Sequence, residues 1–345
     1  MKKIAVEEHF HTKAFVDYLH SRRAWPRREF VERGGKRFIK DWWSETGYRL
    51  IDADQPDPLI DMGEGRLKLM DDAGIDMQVL SLSFPGVEMF DAEEGTDMAR
   101  SVNDELSGVV RRYPDRFAGF AALAPQNPHA AADELQRAVE ILGLKGAMIN
   151  GHIRGEYLDD RKYRVLLERA EKLDVPIYIH PKMPSPDMIK PYLAYPGLAS
   201  AMLGFSAEAS LHAMRLILSG VFDEYPGLKV ILGHLGEALP FWLWRLDSRF
   251  VEEKRDPASA AFYRNFGKSP AQCFRENFYV TVSGMFWQPV LKFVSSVLGS
   301  DRIMFAADYP YESSEEAAQF MDSVEVDDVD REKICHANAE RILKL

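Results

Sequence analysis

Eight short apolar runs, each followed by a stretch with helical spacing, constrain this 345-residue chain more than anything else in it. They are Lys3–Glu7, Met77–Leu82, Phe117–Ala122, Lys145–Ile149, Pro176–His180, Lys229–Gly233, Phe278–Val282 and Ile303–Ala307. Turn signals such as Ala73-Gly74-Ile75-Asp76 and Tyr225-Pro226-Gly227 precede most of them. Most are apolar on both faces, as strands covered on both sides must be. Amphipathic stretches such as Ala131–Leu142 and Tyr163–Leu173 lie between them. Strand and helix alternating eight times predict an α/β protein, a (β/α)8 TIM-like barrel. A doubly wound sheet is the alternative. It would want a glycine-rich phosphate loop after the first strand, and this chain has Glu-Glu-His-Phe-His there.

About 50 residues separate the first strand from a helix predicted over Leu59–Ala73. This insertion, about 12–58, holds Trp25, Trp42 and Trp43 and reads as an enlarged loop after strand 1, a lid or a partner-contacting arm. No Gly/Ser/Pro linker or internal repeat divides the chain, so one domain over 1–345 is expected. Ile334–Leu343 reads as a terminal helix packed on the barrel.

The composition, 46% hydrophobic and 28% charged, is that of an ordinary globular chain. No run of 18 apolar residues predicts a membrane span. Residues 1–9 meet acid at once and lack an apolar signal core, which points to a cytoplasmic protein. Cys273 and Cys335 offer no disulfide framework and are expected as reduced thiols. A net charge of −11 disfavours nucleic acid as a partner. Thr12–Arg49 nevertheless carries a local +5, either a solvated face or an attractor for a small anion.

Barrel enzymes place their chemistry at the C-terminal ends of the strands. Here strand one ends in Glu7, Glu8 and His9, strand five in His180, strand six in His234 and strand eight in Asp308. Alternation along a strand puts Glu7 and His9 on one side and Glu8 on the other. Glu7, His9, His180 and Asp308 would supply two nitrogens and two carboxylates to one divalent ion, Mn²⁺ or Zn²⁺, leaving positions for substrate.

Val6-Glu7-Glu8-His9-Phe10, Tyr178-Ile179-His180-Pro181, Gly233-His234-Leu235-Gly236-Glu237 and Ala307-Asp308-Tyr309-Pro310 together resemble the amidohydrolase-related, metal-dependent decarboxylases. The likeness is to those acting on hydroxybenzoates: γ-resorcylate, 2,3-dihydroxybenzoate and 5-carboxyvanillate decarboxylases. It runs from residue 3 to the end and is weakest between about 12 and 58. Gly233–Asp247 and Asp308-Tyr309-Pro310-Tyr311 are most similar to the 5-carboxyvanillate type.

The resemblance implies Glu7, His180 and Asp308 as ligands of one divalent metal, joined by His9 in some members. A register shift to His9 and His11 would instead restore the His-x-His of the wider superfamily. His234 and Glu237 resemble the ionisable pair beside the metal, and Asp308 the proton donor. Arg245 resembles a residue reaching the substrate of a neighbouring subunit, which implies a homodimer or homotetramer. Asn150 and Phe205 match pocket positions, Tyr309 adds an aromatic wall, and Arg49 is assigned to the substrate carboxylate. The implied reaction is non-oxidative loss of CO2 from an ortho-hydroxylated aromatic acid. Ligand spacing by itself also admits a hydrolase or hydratase on the same barrel, or a binding protein with a structural metal.

Overall fold

The computed structural model describes residues 1–43, 47–264 and 266–345. Its strands are β1 (Ile4–Phe10), β2 (Arg27–Arg33), β3 (Lys36–Trp42), β4 (Tyr48–Asp52), β5 (Met77–Leu82), β6 (Phe117–Gly119), β7 (Ala121–Ala122), β8 (Ala147–Asn150), β9 (Pro176–His180), β10 (Lys229–Leu232), β11 (Phe278–Thr281) and β12 (Ile303–Met304).

All but β2–β4 form one closed parallel barrel. β1, β5 and β6 pair in that order, and β7 to β12 pair in succession. β6 and β7 are one strand interrupted at Phe120, whose N–H reaches Leu80 on one side while that of Ala121 reaches Gly146 on the other. The ring closes where Val6 N–H donates to Phe305 (3.0 Å), Asp308 N–H to Glu7 (3.0 Å) and His9 N–H to Tyr309 (2.8 Å). An open doubly wound sheet is thereby excluded. The eighth strand is shorter than predicted, because beyond Met304 its bonds go to β1.

Helices cover the outside for the reasons their sequences give. In Pro128–Glu140, Asn127 caps the first turn by accepting from Ala130 N–H, proline occupies the first turn, and Ala131, Leu135 and Ala138 face inward. Arg164–Leu173 stops at Asp174, which adopts the left-handed conformation. The barrel interior is filled by Ile4, Val6, Val79, Phe120, Met148, Ile231, Met304 and Ala306, closed below by Ala339, Ile342 and Leu343 of the terminal helix Asn338–Leu343. Each such large side chain contributes about 1.5–3 kcal/mol by leaving water.

The segment predicted as a loop is folded. Thr12 caps a helix over Lys13–Ser21, and β2, β3 and β4 form an antiparallel sheet. β2 turns into β3 through Gly34-Gly35, both at positive φ, as a two-residue hairpin turn requires. Residues 44–46 of the predicted insertion lie outside the described residues. Much of the local positive charge is engaged at home. Lys40 lies over Trp42 and Tyr48 (3.6 and 3.9 Å), and buried Arg28 pairs with Asp41 (3.2 Å) and Asp57 (3.4 Å). Arg28 also approaches His11 Nδ1 at 3.5 Å, which docks this arm against the residues just beyond β1.

Candidate active site

Strict alternation along β1 would turn Glu7 away from the interior that Ile4 and Val6 fill. The pairing of β1 with β5 instead shifts register between Ala5 and Glu8. The irregularity exchanges the inward set, so Ile4 and Val6 fill the barrel while Glu7 and His9 face its mouth. Glu8 turns to the wall. Its carboxylate accepts from Ala307 N–H (2.8 Å), Tyr309 N–H (3.3 Å) and Gln78 (3.2 Å), tying β1 to the strands beside it. Burial pushes the Glu8 carboxyl up to about 8, against the pull of those N–H groups and Arg66.

Glu7, His9, His180 and Asp308 are all buried and offer ligand atoms within 4.8 Å of one another. Donors that share one ion at about 2.0–2.3 Å each stand at such separations. His9 Nε2 lies 2.9 Å from Asp308 Oδ1, and its Nδ1 lies 3.4 Å from Ser81 Oγ. His180 Nε2 faces Glu7 Oε1 at 3.7 Å, and that oxygen is buried without a hydrogen-bond partner. The other oxygen, Oε2, accepts from Tyr178 (2.5 Å), Thr281 (3.1 Å) and Ser283. One satisfied and one orphaned oxygen on a buried carboxylate is the arrangement a cation would complete. The donor set therefore fits a divalent ion. His11 stands outside it, with Nε2 directed to the carbonyl of Phe84 at 3.3 Å, so the His9/His11 register is not adopted.

His234 begins a turn after β10 in which His234, Leu235, Gly236, Glu237 and Ala238 all have positive φ. Such backbone is costly for side-chain-bearing residues and persists only where the surroundings over-determine it. Its effect is to fold Glu237 back, with Oε1 2.8 Å from His234 Nδ1, while His234 Nε2 lies 3.7 Å from Asp308 Oδ2. Asp308 is itself at φ +73°. Burial would lower the His234 imidazole, but Glu237, Asp308 and Glu7 outweigh it and raise it well above the usual value. These carboxylates favour the charged imidazolium. Burial would raise Asp308, but the imidazoles of His234 and His9 hold it well below the ordinary carboxylate range. Burial, reinforced by His9, lowers His180 and keeps it neutral, the form that binds metal.

The remaining predicted residues divide. Asn150 ends β8 opposite His180, its amide nitrogen shared between Leu82 O (3.3 Å) and Glu88 (3.4 Å), and its Oδ1 is buried and unpaired. Arg49 projects from β4, paired with Asp41 (3.2 Å) and 5.8 Å from the Tyr311 ring. Phe205 stands half-buried in the first turn of the helix Gly204–Leu218. Tyr309 does not join them. Its ring lies on the Arg66 guanidinium at 4.5 Å. Tyr311 is the ring the turn presents instead, 5.5 Å from His9 and hydrogen-bonded to Ser83 at 2.6 Å. Arg245 is exposed on the helix Leu239–Glu253, without a hydrogen-bond or ion-pair partner among the described residues. Sequence patterning missed Tyr178, Thr281 and Ser283, although Tyr178 precedes His180 by two residues and so shares its face.

Residues 23–345 match the amidohydrolase family, and the chain belongs to it. It is 40% identical over 353 residues to the γ-resorcylate decarboxylase of Rhodococcus jostii, an alignment covering 99% of this chain and 98% of that one. Among solved structures, it resembles 5-carboxyvanillate decarboxylase from Novosphingobium aromaticivorans, complexed with manganese and 4-hydroxy-3-methoxy-5-nitrobenzoic acid, with TM-score 0.87, 35% identity, and 100% and 96% of the two chains covered. It also resembles the dihydroxybenzoic acid decarboxylase of Polaromonas, with bound manganese and 2-nitroresorcinol, with TM-score 0.83, 34% identity, and 100% and 97% covered. Within its family the chain groups with decarboxylases of hydroxylated benzoates.

Proposed function

We propose that this chain is a carboxy-lyase that removes CO2, without redox chemistry, from a benzoate bearing an ortho hydroxyl. The observation that carries the mechanism is the junction at Asp308: one ligand-type carboxylate that also faces, at 3.7 Å, an imidazole whose charged form is favoured. Glu7, His9, His180 and Asp308 would hold one divalent ion, manganese by likeness to the solved neighbours. When bound, that ion would supply Lewis-acid stabilisation of negatively charged substrate oxygens.

Direct loss of CO2 from an aromatic carbon would leave an electron pair in the ring plane, where the π system cannot spread it. Protonating that carbon first avoids this state. His234 stores the proton, Glu237 stabilises its charge, and Asp308 delivers the proton to the carboxylate-bearing carbon. CO2 then leaves as the ring regains aromaticity, and His234 is recharged from solvent. Arg49 and Asn150 line the substrate, the first by charge toward the carboxylate and the second by its unpaired Oδ1 toward a ring hydroxyl. Phe205 adds an apolar wall.

The chain acts as a homodimer or homotetramer. Phe241, Trp242 and Trp244 are exposed on the helix that bears Arg245, with 81% of Trp244 accessible, a display that a lone protomer would leave in water. Arg245 reaches the substrate of a neighbouring copy. We place the protein in the cytoplasm as a single barrel domain with an inserted arm. Both cysteines are unpaired, and among the described residues no helix is long and apolar enough to cross a membrane.

The test is a panel of hydroxybenzoates, led by 2,6-dihydroxybenzoate and 5-carboxyvanillate, followed by ultraviolet absorbance beside a panel of lactones. Loss of the benzoate band with CO2 release, abolished by chelator, is expected. Lactone opening without decarboxylation would make the chain a hydrolase.

A further inference from the structure

β11 is a barrel strand for which the sequence offered no site residue, yet its end carries Thr281 and Ser283, both fully buried. Ser283 donates its hydroxyl hydrogen to Glu7 Oε2 and accepts from the backbone N–H of His234 at 3.2 Å. Thr281 Oγ1 lies 2.7 Å from Ser283 Oγ and 3.1 Å from Tyr178 Oη, and Tyr178 donates to the same Glu7 oxygen. A hydroxyl has one hydrogen and two lone pairs. Ser283 is therefore committed on both sides, its hydrogen given to Glu7 and a lone pair taken by the His234 N–H, while Thr281 spends its own hydrogen on the same Glu7 oxygen.

Two consequences follow from that one hydroxyl. Glu7 Oε2 is occupied, so Oε1 alone is presented to His180. The N–H of His234, at φ +51°, is received by a side chain that is itself anchored on Glu7. Gly284 follows at φ +59°, and a Cβ there would come within 3.0 Å of the His234 ring, so the two turns are seated against each other. We propose that Ser283 is a positioning residue that couples the two halves of the site: it selects the Glu7 oxygen offered to the metal and fixes the backbone of the turn that aims the His234 imidazole at Asp308. This rests on the metal site proposed above.

Ser283→Ala and Tyr178→Phe each remove one donor to Glu7 Oε2, but only the first also touches His234. Chelator-treated protein titrated with Mn²⁺ separates the effects from turnover. Both variants are expected to bind Mn²⁺ about 10-fold more weakly than the native protein, the usual cost of losing a partner behind a metal ligand. At saturating Mn²⁺, with 2,6-dihydroxybenzoate, Ser283→Ala is expected to lose at least about 10-fold in kcat with KM within about two-fold, and at least three times more kcat than Tyr178→Phe. Ser283→Cys, near in size with a weakly donating thiol, is expected to move both readouts in the same direction and stands in should the alanine variant fail to fold. Ser283 variants with native Mn²⁺ affinity, or with a kcat deficit no larger than that of Tyr178→Phe, would overturn the proposal. Native protein that takes up no Mn²⁺ would defeat the metal reading itself, and the native titration alone reveals it.

Discussion

Glu7 Oε1 and His180 Nε2 face each other across 3.7 Å, and the oxygen is buried without a hydrogen-bond partner. Burial, with Asp308 nearby, raises the Glu7 carboxyl, so the ligand cluster is electrostatically unsettled on its own. A cation relieves this, and binding to the folded state alone stabilises it by about 2.7 kcal/mol at a free-ion concentration of 100 Kd. Mn²⁺ added to chelated protein is therefore expected to raise Tm, and chelator to abolish CO2 release. His180→Ala is expected to hold less than one equivalent of metal by elemental analysis. A variant that keeps a full, tightly bound equivalent removes His180 from the ligand set.

Asp308 sits between His9 and His234, and its proposed part is to accept a proton and pass it on. Asp308→Asn keeps the shape and loses that capacity. The expected loss in kcat is about 10²–10⁴-fold, read as initial rates of absorbance change in metal-saturated enzyme. Retention of more than a tenth of the native rate would assign the proton to another group.

Glu237 gives His234 its nearest negative charge at 2.8 Å. Glu237→Gln preserves a hydrogen-bonding side chain and removes the charge. A fall in kcat larger than any rise in KM is expected, because the substrate has no need of Glu237 to bind. A pure KM effect would place Glu237 in recognition.

Arg245 is exposed on the helix Leu239–Glu253, and its proposed role at a neighbouring copy's substrate predicts a contribution that crosses between subunits. Arg245→Met and Asp308→Asn are each expected to be inactive. Unfolded, mixed and refolded together, they should regain activity in hybrid oligomers that bear one intact site. Mixtures no more active than the separate variants would confine Arg245 to its own chain.

A different part of the molecule is expected to contribute to acid sensitivity. His212 is fully buried, with Nε2 accepting from Leu158 N–H at 3.1 Å. Burial, helped by Arg215 and Lys182, depresses it to about 3. The unfolded chain thus binds a proton there below about pH 6.5 that the folded chain refuses until about pH 3. Stability is present above the unfolded value and falls as pH drops through that window, by up to about 1.4 kcal/mol per pH unit for one such proton. His152, pushed down to about 2 mainly by burial, acts in the same sense. His212→Gln is expected to flatten the dependence of the urea midpoint between pH 6.5 and 4. An unchanged slope would shift the cause elsewhere.

The strand framework was readable because its signals are local. Met77–Leu82 and Pro176–His180 begin and end where their apolar runs do. The ligand residues were readable because each stands where an apolar run meets a polar side chain. The bulge in β1 was not, since nothing in Ile4-Ala5-Val6-Glu7 marks an irregularity that arises from pairing with a distant strand. Nor was the choice between Tyr309 and Tyr311. It depends on the backbone turn at Asp308 and on Arg66, a residue more than 200 positions away. The arm concealed its sheet because β2 and β3 bury little, although Gly34-Gly35 carried the hairpin signal.

That arm divides the labour of the protein along the chain. The candidate centre is built on barrel strands, while Arg49, 5.8 Å from the Tyr311 ring, arrives on the inserted three-stranded sheet that Arg28 and its aspartates help to hold. With Arg49 in its proposed role, appetite for one aromatic acid over another could drift in residues 12–58 without disturbing the floor on which the bond is broken.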